Sequence, residues 1–158
     1  RLEVTKGKFE DLDIREVVKK VHDADIEIIA NYLFGLTGDN FDSMQKTLDL
    51  SLELNTIAWN AYAVMALPGS ALYKKAVEKG LKMPDDYAGY SFHSYNTQPL
   101  PTDEVSAAEI LKFRDAAFIK YHTYKPFIEK VRNKYGTQAV NNIEDMTKIK
   151  LKRKICGD

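Results

Sequence analysis

Two apolar stretches joined by one helical period constrain most of what this chain can become. Ile26–Phe34 reads IEIIANYLF and Ile57–Met65 reads IAWNAYAVM. Both are nearly continuous apolar runs of strand length, the pattern of parallel strands covered on both faces. Between them lies a glycine turn, Gly35-Leu-Thr-Gly-Asp-Asn40. The stretch Phe41–Leu54 then carries Phe41, Met44, Leu48 and Leu52 at intervals of three and four, one face of an amphipathic helix. The second run ends in Ala66-Leu-Pro-Gly-Ser70. Strand, helix and strand in this order form a βαβ unit, whose crossover is right-handed almost without exception. Such folds bind ligands beyond the carboxyl ends of their strands, so chemistry is expected at Gly35–Asn40 and Ala66–Ser70.

The flanking sequence reads as helices and one irregular stretch. Residues 1–12 are expected to form a lead-in loop. Asp13 and Glu16 have capping-box spacing before a helix with Val17, Val18 and Val21 on its buried face. That helix is expected to end near Ala24-Asp25, with Asp25 a less comfortable left-handed cap than glycine. Ser70 caps a third helix carrying Leu72, Tyr73, Ala76 and Val77, which Gly80 terminates. Residues 81–101 show no period, yet they crowd Tyr87, Tyr90, Phe92, His93 and Tyr95 together. A packed connection is favoured there over a substrate-facing lid, and His93 has the best claim of the three histidines to a site. After Thr102 the chain is helical. Ser106 and Glu109 form a capping box, Pro126 suits the first turn of the next helix, Gly136 closes it and Thr137 opens the last. The segment KIKLKRK, Lys148–Lys154, places five positive charges in seven residues, read as cations favourable at a helix C-terminus.

At 158 residues the chain is one domain's worth of sequence. Its 23 basic and 23 acidic residues leave no field to draw it to nucleic acid or an anionic membrane. No apolar run is long enough to span a bilayer and no signal peptide is visible, so neither nucleic acid nor membrane is an expected partner, and the cytoplasm is the default location. The single cysteine, Cys156, excludes an internal disulfide and a cysteine-ligated cluster within the chain. No Ser-His-Asp spacing, HExxH or CxxC is present. The Gly35–Asp39 turn lacks both the lysine of a phosphate loop and the GxGxxG of a dinucleotide site. No catalytic or metal-ligating residue is therefore assigned. Asn31 and Asn60 are amides inside apolar strands, and Asn31, on the face of Leu33 and Gly35, is the better candidate to meet a ligand. That ligand is expected to be a small molecule read by backbone amides and apolar edges. Two parallel strands make a poor sheet, and the first residue is Arg1, so the chain is expected to be the C-terminal piece of a larger protein. A non-enzymatic interaction module is the alternative.

Three quoted stretches carry a resemblance: Asn31-Tyr-Leu-Phe-Gly-Leu-Thr-Gly-Asp39, the helix Phe41–Leu54, and Ala63-Val-Met-Ala-Leu-Pro-Gly-Ser-Ala-Leu-Tyr73. Together with the aromatic stretch before Pro99–Thr102 and the tail Met146–Lys154, they resemble the C-terminal half of a radical S-adenosylmethionine enzyme. The group is the one that often carries an N-terminal cobalamin-binding domain. The resemblance implies a partial (β/α) TIM-type barrel fragment over residues 1–80, an aromatic-rich connection over 81–102 and a helical extension over 103–158. It implies S-adenosylmethionine and a [4Fe-4S] cluster as cofactors, cobalamin as a further one, and radical chemistry on a small-molecule substrate. The family's Gly-x-Ile-x-Gly-x-x-Glu strand would fall on Asn31, Leu33, Gly35 and Gly38. Asn31 replaces the first glycine, Gly38 stands at the acidic position with Asp39 beside it, and Thr37 stands where proline is usual. Val64, Met65, Pro68, Gly69 and Ser70 would flank the same pocket. The family's Cys-x3-Cys-x2-Cys loop is absent, so the partner implied is the N-terminal half of the barrel, and the chain alone is expected to be inactive.

Overall fold

The glycine turns, caps and apolar periods produce an element at nearly every expected place. The computed structural model describes residues 6–158, and the first five residues of the expected lead-in loop lie outside the described residues. Helix α1 is Ile14–Asp23, capped by Asp13, whose side chain accepts from the Arg15 amide. Asp25 then takes the left-handed conformation, φ +57°, that its position demands. Strand β1 is Ile29–Phe34 and helix α2 is Phe41–Leu54. Asn40 caps α2 reciprocally with Ser43: the Ser43 amide donates to Asn40 Oδ1 and the Asn40 amide to Ser43 Oγ, each at 3.0 Å. Strand β2 is Ala58–Ala63 and α3 is Ala71–Glu78. A single 3-10 turn, Tyr87–Tyr90, interrupts the aromatic stretch. Helix α4 is Ala107–His122 and α5 is Lys125–Lys148. Gly136, at φ +81° and ψ 179°, breaks α5 into two helical runs where a stop and a restart were expected.

Among the described residues the fold is mixed α/β, with five α-helices and a two-stranded parallel sheet. The βαβ unit is present, and no barrel closes among the described residues. Asn31 lies opposite Asn60 and Leu33 opposite Tyr62. The core sits on one face of the sheet, under α2, α4 and α5. Trp59 stacks on Tyr121 with ring centroids 5.1 Å apart, and the Tyr121 hydroxyl donates to the Thr56 carbonyl at 2.6 Å. Phe34 meets Phe113 edge-on at 5.2 Å. Trp59 and Tyr62 point to opposite faces, as strand parity requires.

Two expectations are corrected. The strands are not covered on both faces. Tyr32 and Phe34 face the core, whereas Ile29 is 65% and Leu33 41% exposed. The helices of this chain pack on one side of the sheet, and the apolar residues that made the runs continuous sit on the other. The KIKLKRK cations are also not helix-end charges beyond Lys148. Helix α5 ends there, the chain leaves in extended form, and Arg153 turns inward to become one of the most buried side chains in the molecule.

Candidate functional site at the strand tips and the open sheet face

The tips of β1 and β2 are neighbours. The Val64 amide donates to the Phe34 carbonyl at 2.9 Å, carrying the pairing one step past the strands. Gly35 follows at φ +83° and lies under α4, where an added Cβ would come within 2.9 Å of Ile110. Only glycine meets both the positive φ and the close approach. The turn is closed by Asp39. Its Oδ2 accepts from the amides of Gly35 and Leu36, both at 3.0 Å, and its Oδ1 accepts from Ser43 Oγ at 2.7 Å. The amides expected to read a ligand at Gly35 and Leu36 are thus taken by the turn itself. Gly38, φ +83°, is exposed with open space around it.

The second tip is also braced from within. Val64 and Ala66 pack with Ala76 and Leu100, against Leu36 and Leu72, and Met65 is buried as well. The Leu100 amide donates to the Val64 carbonyl at 2.9 Å. Pro68 and Gly69 form the exposed turn, and Ser70 Oγ accepts from the Tyr73 amide at 3.0 Å as the cap of α3. A cavity of about 340 Å3 lies beyond the tips, bounded by Thr37, Gly38, Leu72, Lys75 and Thr102. Of the ten residues singled out from the sequence, it gathers only Gly38.

Asn31 and Leu33 lie elsewhere, on the uncovered face of the sheet. Asn60 Nδ2 donates to Asn31 Oδ1 at 3.2 Å across the strands, a side-chain amide pair open to solvent. Tyr62, on the same face, is covered by Phe92 of the aromatic stretch with ring centroids 4.8 Å apart. That stretch is a packed connection covering one end of the face, and Ile29, Asn31 and Leu33 remain outside it. Ile28 and Phe34 turn their carbonyls to β2. By strand alternation, Ile29, Asn31 and Leu33 then direct their backbone groups to the outer edge of β1, which no strand covers among the described residues.

The iron–sulfur cluster does not fit these residues. Cys156 is partly buried on the tail, with Sγ 3.7 Å from the Ala108 carbonyl, and burial pushes its thiol pKa up. Among the described residues no group of three or more His, Cys, Asp and Glu side chains could hold a metal ion. The open face does suit a flat, polar-edged ligand: an asparagine amide can pair with the N6/N7 edge of an adenine, and Leu33 and Ile29 flank it with apolar surface.

The functional reading of the sequence missed a buried arginine pair. Arg114 Nε donates to the Ala61 carbonyl at 2.8 Å, closing the outer edge of β2. Arg153 grips Asp115 through Nε and Nη2 at 2.9 and 3.1 Å, and its Nη1 donates to the carbonyls of Phe92 and Ser94 and to Thr97 Oγ1. Arg153 thereby pins the aromatic stretch to α4. Its sequence signal was hidden among four lysines. No family model, curated protein or solved structure matches the chain.

Proposed function

We propose that this chain is the C-terminal part of a radical S-adenosylmethionine enzyme and supplies one wall of the pocket for that cofactor and a small-molecule substrate. The observation that carries this reading is the uncovered side of the sheet. One face is packed under helices, while the other exposes Ile29, Leu33 and the Asn31–Asn60 amide pair, and among the described residues no further strand pairs with the outer edge of β1. A barrel segment has this asymmetry, because its inner face and one edge belong to the remaining strands. The partner on that edge is the N-terminal half of the barrel, which would carry the cluster ligands that this chain lacks and, in this group, a cobalamin domain. Held at such a cluster, S-adenosylmethionine would supply radical chemistry on the substrate. Asn31 and Asn60 would hold its adenine edge and Leu33 would pack on the ring, while the Gly35 turn braces the strand against α4. The chain by itself is inactive, and the complete protein acts in the cytoplasm.

The test is anaerobic reconstitution, with iron and sulfide, of the chain joined to the segment encoded upstream of it. Expected are the visible absorption of an iron–sulfur cluster, formation of 5′-deoxyadenosine on reduction, and a rise of at least about tenfold in the Kd for S-adenosylmethionine on Leu33→Asp with the cluster retained. A joined protein that takes up no cluster, or an unchanged Kd in the variant, overturns the reading in favour of an interaction module.

A further inference from the structure

A groove of about 500 Å3 lies between α4 and the chain that follows α5, within the range of small-molecule sites. Phe118 and Ile119 of α4 line it together with Met146 in the last turn of α5 and Ile149 and Leu151 just beyond that helix. Ile149 is 66% and Leu151 37% exposed, each between two lysines. Exposed apolar surface gathered in one place marks a site more often than singly scattered residues do. The charges around it are unevenly compensated. Asp115 is held by Arg114 and Arg153, and Asp158 Oδ2 accepts from the Arg153 amide at 2.9 Å. Lys112 and Lys150 line the groove without an ion pair among the described residues. The groove is therefore an apolar trough lined by two lysines outside any ion pair among the described residues, with Asp158 beside them. It adjoins the side of α4 from which Arg114 reaches the edge of β2, not the unpaired edge of β1, so it stands apart from the proposed barrel pocket.

We propose that this groove binds a long-chain carboxylate, with the alkyl chain lying against Phe118, Ile119 and Ile149 and the head group meeting Lys112 and Lys150. Charge complementarity favours an amphipathic anion over a neutral or cationic one, because Asp115 is already paired with Arg114 and Arg153, whereas Lys112 and Lys150 make no ion pair among the described residues. Cys156, the only thiol, lines the same groove and reports on its occupancy. Decanoate is the probe, with 1-decanol and decyltrimethylammonium as the neutral and cationic comparisons. Expected are saturable one-to-one binding of decanoate by calorimetry and slowed alkylation of Cys156 when it is bound. Reversing both lysines, K112E with K150E, is expected to weaken binding by about tenfold. Ile149→Asp, at an exposed site where folding is retained, is expected to abolish it. The proposal is overturned if decanoate binding does not saturate or if the charge reversal leaves its affinity unchanged. Equally tight binding of the cationic probe, or a concentration-dependent dimer that decanoate fails to dissociate, also overturns it.

Discussion

His122 shows how one residue couples the core to pH. Its ring is buried among Trp59, Phe118, Tyr121 and Phe127, and Nδ1 lies 2.8 Å from the Phe118 carbonyl. Burial, with the Arg114 charge as a smaller contribution, lowers its pKa below the ordinary 6.5, outweighing the bond to Phe118. The folded state holds the ring neutral, whereas the unfolded chain protonates it near 6.5. Stability is therefore fully present above that value and falls as pH drops through it towards the lower folded pKa, by at most about 1.4 kcal/mol per pH unit. The pKa of His22, also lowered by burial, adds a slope of the same sign. Urea unfolding at pH 7.5 and 5.5 measures the effect: wild type is expected to lose stability on acidification and His122→Phe to lose markedly less. Equal losses would mean that His122 is protonated without resistance. Tyr32 has a related constraint. Its hydroxyl is buried without a hydrogen-bond partner among the described residues, and burial pushes its pKa up to about 12.

Among the elements, the aromatic stretch and the tail depend on one another through Arg153. Its guanidinium is 2% exposed and satisfies acceptors on Phe92, Ser94, Thr97 and Asp115. Removing the charge leaves the Phe92, Ser94 and Thr97 acceptors unmet and the half-buried Asp115 paired with Arg114 alone, a loss below the roughly 3–5 kcal/mol of fully buried pairs. Arg153→Met is expected to release residues 91–97 first, making that stretch the earliest site of limited proteolysis under conditions where wild type is uncut. Uniform destabilisation without preferential cleavage there would show that the stretch is held by other contacts. The turn between β1 and α2 has its own lock, the Asp39 carboxylate, which fixes the strand tip independently of the tail.

For the whole molecule, the βαβ unit was legible because its signals are local: two apolar runs, glycines where φ is positive, and a capping residue at Asp39 or Asn40, of which the structure uses Asn40; the caps at Ser70 and Ser106 marked the later helices in the same way. The uncovered face was not legible. Ile29 and Leu33 extend an apolar run in the same way whether a helix, a ligand or further strands cover them, so hydrophobicity alone gave the wrong answer for that side. Arg153 was hidden for the opposite reason, since a buried arginine reads in sequence like any solvated cation. Of the site residues, Asn31 and Leu33 fell on the open face through strand parity, whereas Val64, Met65 and Ser70 proved to brace the second tip.

The most direct measurement is hydrogen exchange at the Ile29, Asn31 and Leu33 amides, compared between this chain alone and the same chain joined to the segment encoded before Arg1. If the free edge of β1 is where the rest of a barrel joins, these amides exchange rapidly in the chain alone, faster than those of Tyr32 and Phe34, and become protected in the joined protein. Protection already present in the isolated chain, or rapid exchange in both, would contradict a sheet that continues past β1.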